Sequence, residues 1–172
     1  MIKSQDVLVL LELLRDSDDR TVRSIGAALD LDPASVHRSV ARLAQVRLWI
    51  PSLSQVNRPL ATEFLVHVVK FVFPVELGGP TSGIPTAWGA EPLVGQLAPA
   101  REMPPVWPHV LGTVRGSALT PLHPAVPDIA LAHPDLAEML VLLDGIRIGD
   151  ARIRSLSVKG IKDRLSQRPD TP

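Results

Sequence analysis

The stretch "TVRSIGAALDLDPASVHRSVARLAQVRL", residues 21–48, decides the fold. Val22, Ile25 and Leu29 recur at three- and four-residue steps behind Thr21, whose hydroxyl can accept a hydrogen bond from a free amide of a first helical turn. A helix is therefore predicted from Thr21 to about Asp30, with Gly26 and Ala28 small enough for a close neighbour. Asp30 tolerates the left-handed backbone of a tight turn better than most non-glycine residues. Asp32 then offers a cap and Pro33 a pre-set first helical residue, so a second helix is predicted from Pro33 to about Val46. At about 100° per residue, Val36, Val40 and Leu43 share one face of that helix. Ala34, Arg38, Ala41, Arg42 and Gln45 cluster on the opposite face, flanked by Ser35 and His37.

On the N-terminal side, residues 5–15 carry Val7, Leu8, Leu10, Leu11, Leu13 and Leu14, the spacing of a helix buried along a wide stripe, and "RDSDDR" then breaks it. On the other side, "LWIPSLSQVNRP", residues 48–59, holds strand-like pieces around "SLSQ", enough for a short hairpin whose first arm Pro51 confines to an edge. One helix, a capped helical pair joined by "DLD", then a hairpin is the order of a winged helix-turn-helix. Residues 21–48 resemble that element in MarR-like bacterial regulators: Gly26 sits on the first helix of the pair, Leu31 in the turn, and Val36, Val40 and Leu43 toward the core. Asp30 stands where a turn glycine is commoner, and the wing is short and lacks a glycine tip. The resemblance implies a DNA-binding transcriptional regulator.

The chemistry of the outer face points the same way. Small alanines let a helix approach a groove closely, and Arg and Gln can pair with guanine and adenine edges at about 1–3 kcal/mol of discrimination per good bidentate contact. Arg38, Arg42 and Gln45 are the expected base readers, with His37 able to read bases or meet phosphate. Thr21, Arg23, Ser35, Arg47 and Arg58 are the expected phosphate contacts. The chain has no net charge, yet no acid lies between Asp32 and Glu63, where Arg38, Arg42, Arg47 and Arg58 all lie. Positive charge is thus concentrated where a duplex would sit; the competing reading is an ordinary solvated Arg face. A single helix buries too little surface for a tight site, so a homodimer reading two half-sites is expected. The rival from another class is a protein-interaction module, such as an antitoxin-like or defence-system partner with a vestigial helix-turn-helix.

Beyond the wing, Pro59 can open a helix through about Phe73 that is apolar nearly all round and so needs cover on nearly all sides. This helix and the C-terminal pair are candidate dimer surfaces. From Pro74 to Pro134 lie 12 of the 17 prolines and 7 of the 11 glycines, which argues against long regular elements. The same segment is rich in large apolar residues and poor in charge, so an ordered, irregular layer over the helices is predicted. Two helices, Asp135 to Gly145 and Asp150 to about Leu165, are expected at the end, joined by "GIRIG" and carrying a second basic stretch that includes Arg152, Lys159, Lys162 and Arg168. The expected fold is mainly α: a winged helix-turn-helix over residues 1–58, then a helix, a Pro/Gly-rich layer and C-terminal helices over residues 59–172 for dimerisation or sensing.

Enzyme motifs are weak. "ELGGPTSGIPT" lacks the Gly-Lys-Ser/Thr ending of a phosphate loop, G-x-S-x-G is absent, and His109, His123 and His133 match no common metal spacing. "HPD" at 133–135 lacks any J-domain context and reads as helix initiation. No enzyme activity, cofactor or metal is expected. Trp88 and Trp107 are candidates for lining a small-molecule effector pocket, against the alternative of large core residues. With no cysteine, no signal peptide pattern and Glu12 interrupting the first apolar run, the expectation is a cytoplasmic protein with no membrane contact.

Overall fold

Thr21 and Asp32 start their helices through the local bonds expected of them. The computed structural model describes residues 1–15, 20–98 and 103–166; the break expected at "RDSDDR" falls largely on residues 16–19, which, like Arg168, lie outside the described residues. Helix α1 spans Ser4–Leu14, α2 Val22–Leu29 and α3 Pro33–Gln45. The Thr21 hydroxyl accepts the Ser24 N–H at 3.1 Å and Asp32 accepts the Ser35 N–H at 2.9 Å, each satisfying an amide left open by helix geometry. Between them Asp30 takes the left-handed conformation, with φ 52 and ψ 47. A side chain at position 26 would place its Cβ 2.6 Å from the Leu31 carbonyl oxygen, so the turn requires Gly26 there. Strands β1 (Trp49–Ile50) and β2 (Gln55–Val56) pair antiparallel as the short hairpin, Trp49 opposite Val56, around one 3-10 turn that begins at Pro51.

Asn57 caps the next helical rod, which runs as α4 (Arg58–Glu63), a π-helical turn (Phe64–Val68) and α5 (Val69–Val72). Ala61, Leu65, Val66 and Val69 face the core, but Leu60, Val68, Phe71 and Val72 are exposed, so the rod is not covered on nearly all sides as its composition predicts.

The Pro/Gly-rich segment corrects a second expectation. Strand β3 (Leu77–Pro85) pairs antiparallel with both β4 (Pro105–Pro108) and β5 (Val114–Leu119), and β4 runs parallel to β5, closing a three-stranded barrel. Ile84 lies opposite Trp107, Ser82 opposite Arg115, and Val106 opposite Ala118. The glycines serve this closure: a Cβ on Gly83 would fall 2.1 Å from the Trp107 carbonyl oxygen. The fold is therefore a mixture of helices and small sheets rather than mainly α.

Helices α6 (Val126–Ala132), α7 (Pro134–Ile148) and α8 (Ala151–Ser166) complete the chain. Helix α6 has no counterpart in the sequence expectation, and α7 continues through most of "GIRIG" to break at Gly149. Asp144 of α7 is buried and ties the barrel to the helices. Its Oδ2 accepts the Thr86 hydroxyl and the Trp107 indole N–H, both at 2.8 Å, while its Oδ1 accepts the Arg147 guanidinium at 2.8 Å. Arg147 in turn donates to the Phe73 carbonyl at 3.0 Å. Burial pushes the Asp144 carboxyl upward, and Arg147 and the two neutral donors pull against it.

Every residue of α1 from Asp6 to Leu14 is buried. One continuous apolar cluster runs from these leucines through Ile25, Val36 and Leu43 to Leu65, Trp107, Leu142 and Ile161, so residues 1–58 and 59–172 share their core. Arg15 reinforces the join by donating to Asp135 of α7 at 2.5 Å. Among the described residues no helix is long and apolar enough to cross a membrane.

Candidate nucleic-acid interface

The caps at Thr21 and Asp32 and the turn at Asp30 fix α3 across α2, with Val36 and Leu43 buried and Val40 half-buried beneath it. Opposite this apolar side, Ala34, His37, Arg38, Ala41 and Gln45 are all exposed. Arg38 donates from Nη2 to the Ser35 hydroxyl at 2.7 Å, which lays the guanidinium along the helix toward its N-terminus. Hydrogen bonds from Ser35, its hydroxyl foremost, hold the fully exposed Asp32 carboxyl below the usual carboxylate range, and the nearby Arg38 charge adds to this. Ser35 is half-buried, with its N–H committed to the cap and its hydroxyl accepting from Arg38. Its expected role as a phosphate donor therefore competes with bonds it already makes.

Arg42 is the main correction. Its guanidinium grips the fully buried Asp6 of α1 in a two-pronged pair, Nε to Oδ2 at 2.8 Å and Nη2 to Oδ1 at 2.6 Å, and Nη2 also reaches the Ser39 hydroxyl at 3.2 Å. Asp6 also accepts the Lys3 backbone N–H at 2.8 Å. Burial pushes the Asp6 carboxyl up, but the bonds from Arg42, Lys3 and Ser39 outweigh it and hold it below its ordinary range. Arg42 keeps its positive charge more firmly for the same pairing. Its guanidinium is committed to Asp6 and so is not offered to the outer face as the helical spacing predicts. Gln5 works beside it, donating to the Ser35 carbonyl at 3.2 Å and to Ser39 Oγ at 2.9 Å. Neither Gln5 nor Asp6 stands out at this face from the sequence; the one signal is an acid in the first turn of a helix whose following residues, Val7 to Leu11, are all apolar.

Arg58 is the second correction. It lies at the junction of α1, α4 and α8, with Nη2 toward the Leu14 carbonyl and Nη1 toward the Leu165 carbonyl, both at 3.4 Å, and is only half-exposed. Arg47 is exposed just beyond α3 with a left-handed backbone, φ 61, and Arg23 is exposed in the first turn of α2. Thr21 is exposed and serves its helix as a cap. The structure thus brings His37, Arg38 and Gln45 together on one outer face, with Arg23 and Arg47 on the neighbouring segments, and removes Arg42 and Arg58 from it.

The two tryptophans expected at a pocket wall lie in different surroundings. Trp107 is 1% exposed and its only polar atom is spent on Asp144, so it is a core residue. Trp88 is half-buried within a single 3-10 turn, Ala87–Gly89. A largely apolar hollow does exist elsewhere, about 210 Å³ in volume, between Ile2, Val46, Leu48, Leu60, Phe64 and Val68 with Glu63 at its wall. No protein-family model, curated protein or solved structure matches the chain.

Proposed function

We propose that the protein binds duplex DNA in a sequence-dependent way through the outer face of α3, as a dimeric transcriptional regulator acting most simply as a repressor. One observation carries this reading: a helix capped and turned as the second member of a helical pair presents His37, Arg38 and Gln45 beside small alanines, with no acid between Pro33 and Gln45. Arg38 and Gln45 read base edges, with His37 at the flank of the same face; Arg23, Arg47 and the α2 cap region around Thr21 meet phosphates. Two copies would engage half-sites about one helical turn, roughly 34 Å, apart.

Selection of bound fragments from random duplex DNA tests this, with an inverted repeat as the expected product. Arg38→Ala then costs about 1–3 kcal/mol and relaxes specificity at one position, whereas Arg47→Ala weakens all sequences alike and lowers the salt slope by about one. Recovery of no preferred sequence, with binding unchanged in both variants, removes the assignment.

A further inference from the structure

We propose that Ser35 is a positioning residue for Arg38, fixing its guanidinium in the orientation that reads a guanine, and is not itself a phosphate contact. This rests on the DNA reading above and names the base that its central arginine selects. The Ser35 hydroxyl is engaged in both directions. Its oxygen accepts Arg38 Nη2 at 2.7 Å. Its hydrogen serves the Asp32 carboxylate, which also accepts the Ser35 N–H at 2.9 Å, and this hydroxyl is the foremost group holding that carboxyl below its usual range. With the hydrogen turned to an anion, the lone pairs of the oxygen are left for a donor on its other side, and a guanidinium is the donor that sits there. Asp32, Ser35 and Arg38 follow one another at three-residue steps, a spacing at which side chains on a helix meet.

The neighbours of Arg38 on α3 leave this direction uncontested. Ala34 lies one turn before it and Ala41 one turn after, and neither side chain carries a polar atom. Arg42, the nearest like charge on the helix, is held by Asp6. The guanidinium therefore leans toward the N-terminal end of α3, the end whose residues contact base edges when such a helix enters the major groove. The bond to Ser35 uses one hydrogen of Nη2. Whichever of the two it takes, one parallel pair of N–H groups remains, with Nη1 or with Nε, and such a fork matches N7 and O6 of guanine. Adenine presents an amino donor in place of O6, so the same fork meets a donor there and is refused. A long side chain free to sample many rotamers loses that freedom on binding and can settle on a phosphate instead; one already held loses less and is aimed at one place.

The test measures binding of the full chain to three duplexes: the fragment recovered from random DNA, the same fragment with the guanine whose preference Arg38→Ala abolishes changed to adenine, and an unrelated sequence. Ser35→Ala keeps the helix cap, which uses the Ser35 N–H, so its melting temperature should match wild type. It is expected to lower the guanine-over-adenine ratio about three- to tenfold, the loss of one hydrogen bond, while affinity for the unrelated duplex stays within about twofold. Ser35→Thr, which returns a hydroxyl, is expected to restore the ratio, and Ser35→Ala added to Arg38→Ala to change nothing further. Without DNA, nitrogen relaxation of the Arg38 Nε–H group should report an ordered side chain in wild type and a mobile one in Ser35→Ala. Equal weakening on all three duplexes would make Ser35 a phosphate contact and overturns the proposal. A ratio untouched by Ser35→Ala, or an Arg38 side chain as mobile in wild type as in the variant, overturns it too, and each of these results leaves the DNA reading standing. A wild type that prefers no sequence removes the DNA reading and the specificity role with it, even where Arg38 is ordered.

Discussion

Arg42 and Arg38 sit one turn apart on α3 and do opposite work, and the difference is set by what lies across from each. Arg42 meets a carboxylate with no access to water, so removing it leaves Asp6 charged, buried and held by little more than the Lys3 amide and the Ser39 hydroxyl. Breaking a buried pair from one side typically costs about 3–5 kcal/mol, and the partial exposure of Arg42 brings the expectation for Arg42→Ala to about 2–4 kcal/mol by urea denaturation. Arg38→Ala, on an exposed side chain, should stay within about 0.5 kcal/mol of wild type in the same measurement. The Asp6 pairing also predicts a pH dependence. A carboxyl held below its unfolded value of about 3.9 contributes its stabilisation in full above that pH and loses it as pH falls through the lower folded value. Asp6→Asn should therefore lower stability at neutral pH and flatten the acid limb of the stability curve; an acid limb as steep as that of wild type would show that Asp6 is not the group responsible.

Elements held by neighbours in sequence were legible, and those held by distant partners were not. The caps of α2 and α3, the left-handed Asp30 and the Pro51-limited hairpin all rest on bonds spanning a few residues, and each forms where the sequence predicts. Asp30→Gly should leave stability within about 0.5 kcal/mol, since relief of the left-handed backbone is offset by a freer unfolded chain, whereas Asp30→Val should cost about 1–2 kcal/mol. The barrel was invisible for the opposite reason. "LGGPTSGIP" has neither alternation nor β-branched enrichment, and becomes a strand only because β4 and β5, far along the chain, pair with both its edges. Its glycines read as turn signals but are points of close approach. Gly83→Ala, whose Cβ would meet the Trp107 backbone, should separate β3 from β4 and cost more than about 2 kcal/mol, with the near-ultraviolet signal of Trp107 altered at once. The candidate site divides along the same line: the face bearing His37, Arg38 and Gln45 followed from helical spacing, while the loss of Arg42 to Asp6 depended on a partner 36 residues away.

The continuity of the core decides how the chain folds. A helix buried from Asp6 to Leu14 cannot be satisfied by α2 and α3 alone, because they cover one side and α7 lies against another. Each buried valine or leucine contributes about 1.5–3 kcal/mol when removed from water, so stripping α1 of its C-terminal cover forfeits an amount comparable to the whole stability of a domain. Arg15 would lose Asp135 and Arg58 would lose the Leu165 carbonyl in the same step. Residues 1–58 expressed alone are therefore expected to show no cooperative thermal transition and little amide dispersion in solution, although they contain every residue of the proposed DNA face. The converse holds for a change at the far end of the molecule. Asp144→Asn leaves Arg147 without its charge partner in the interior and should cost about 3–5 kcal/mol, and because the core is shared, α1–α3 should melt together with the barrel in one transition. Two separate transitions in that variant, or a well-dispersed 1–58 fragment, would show that α1–α3 carry a core of their own.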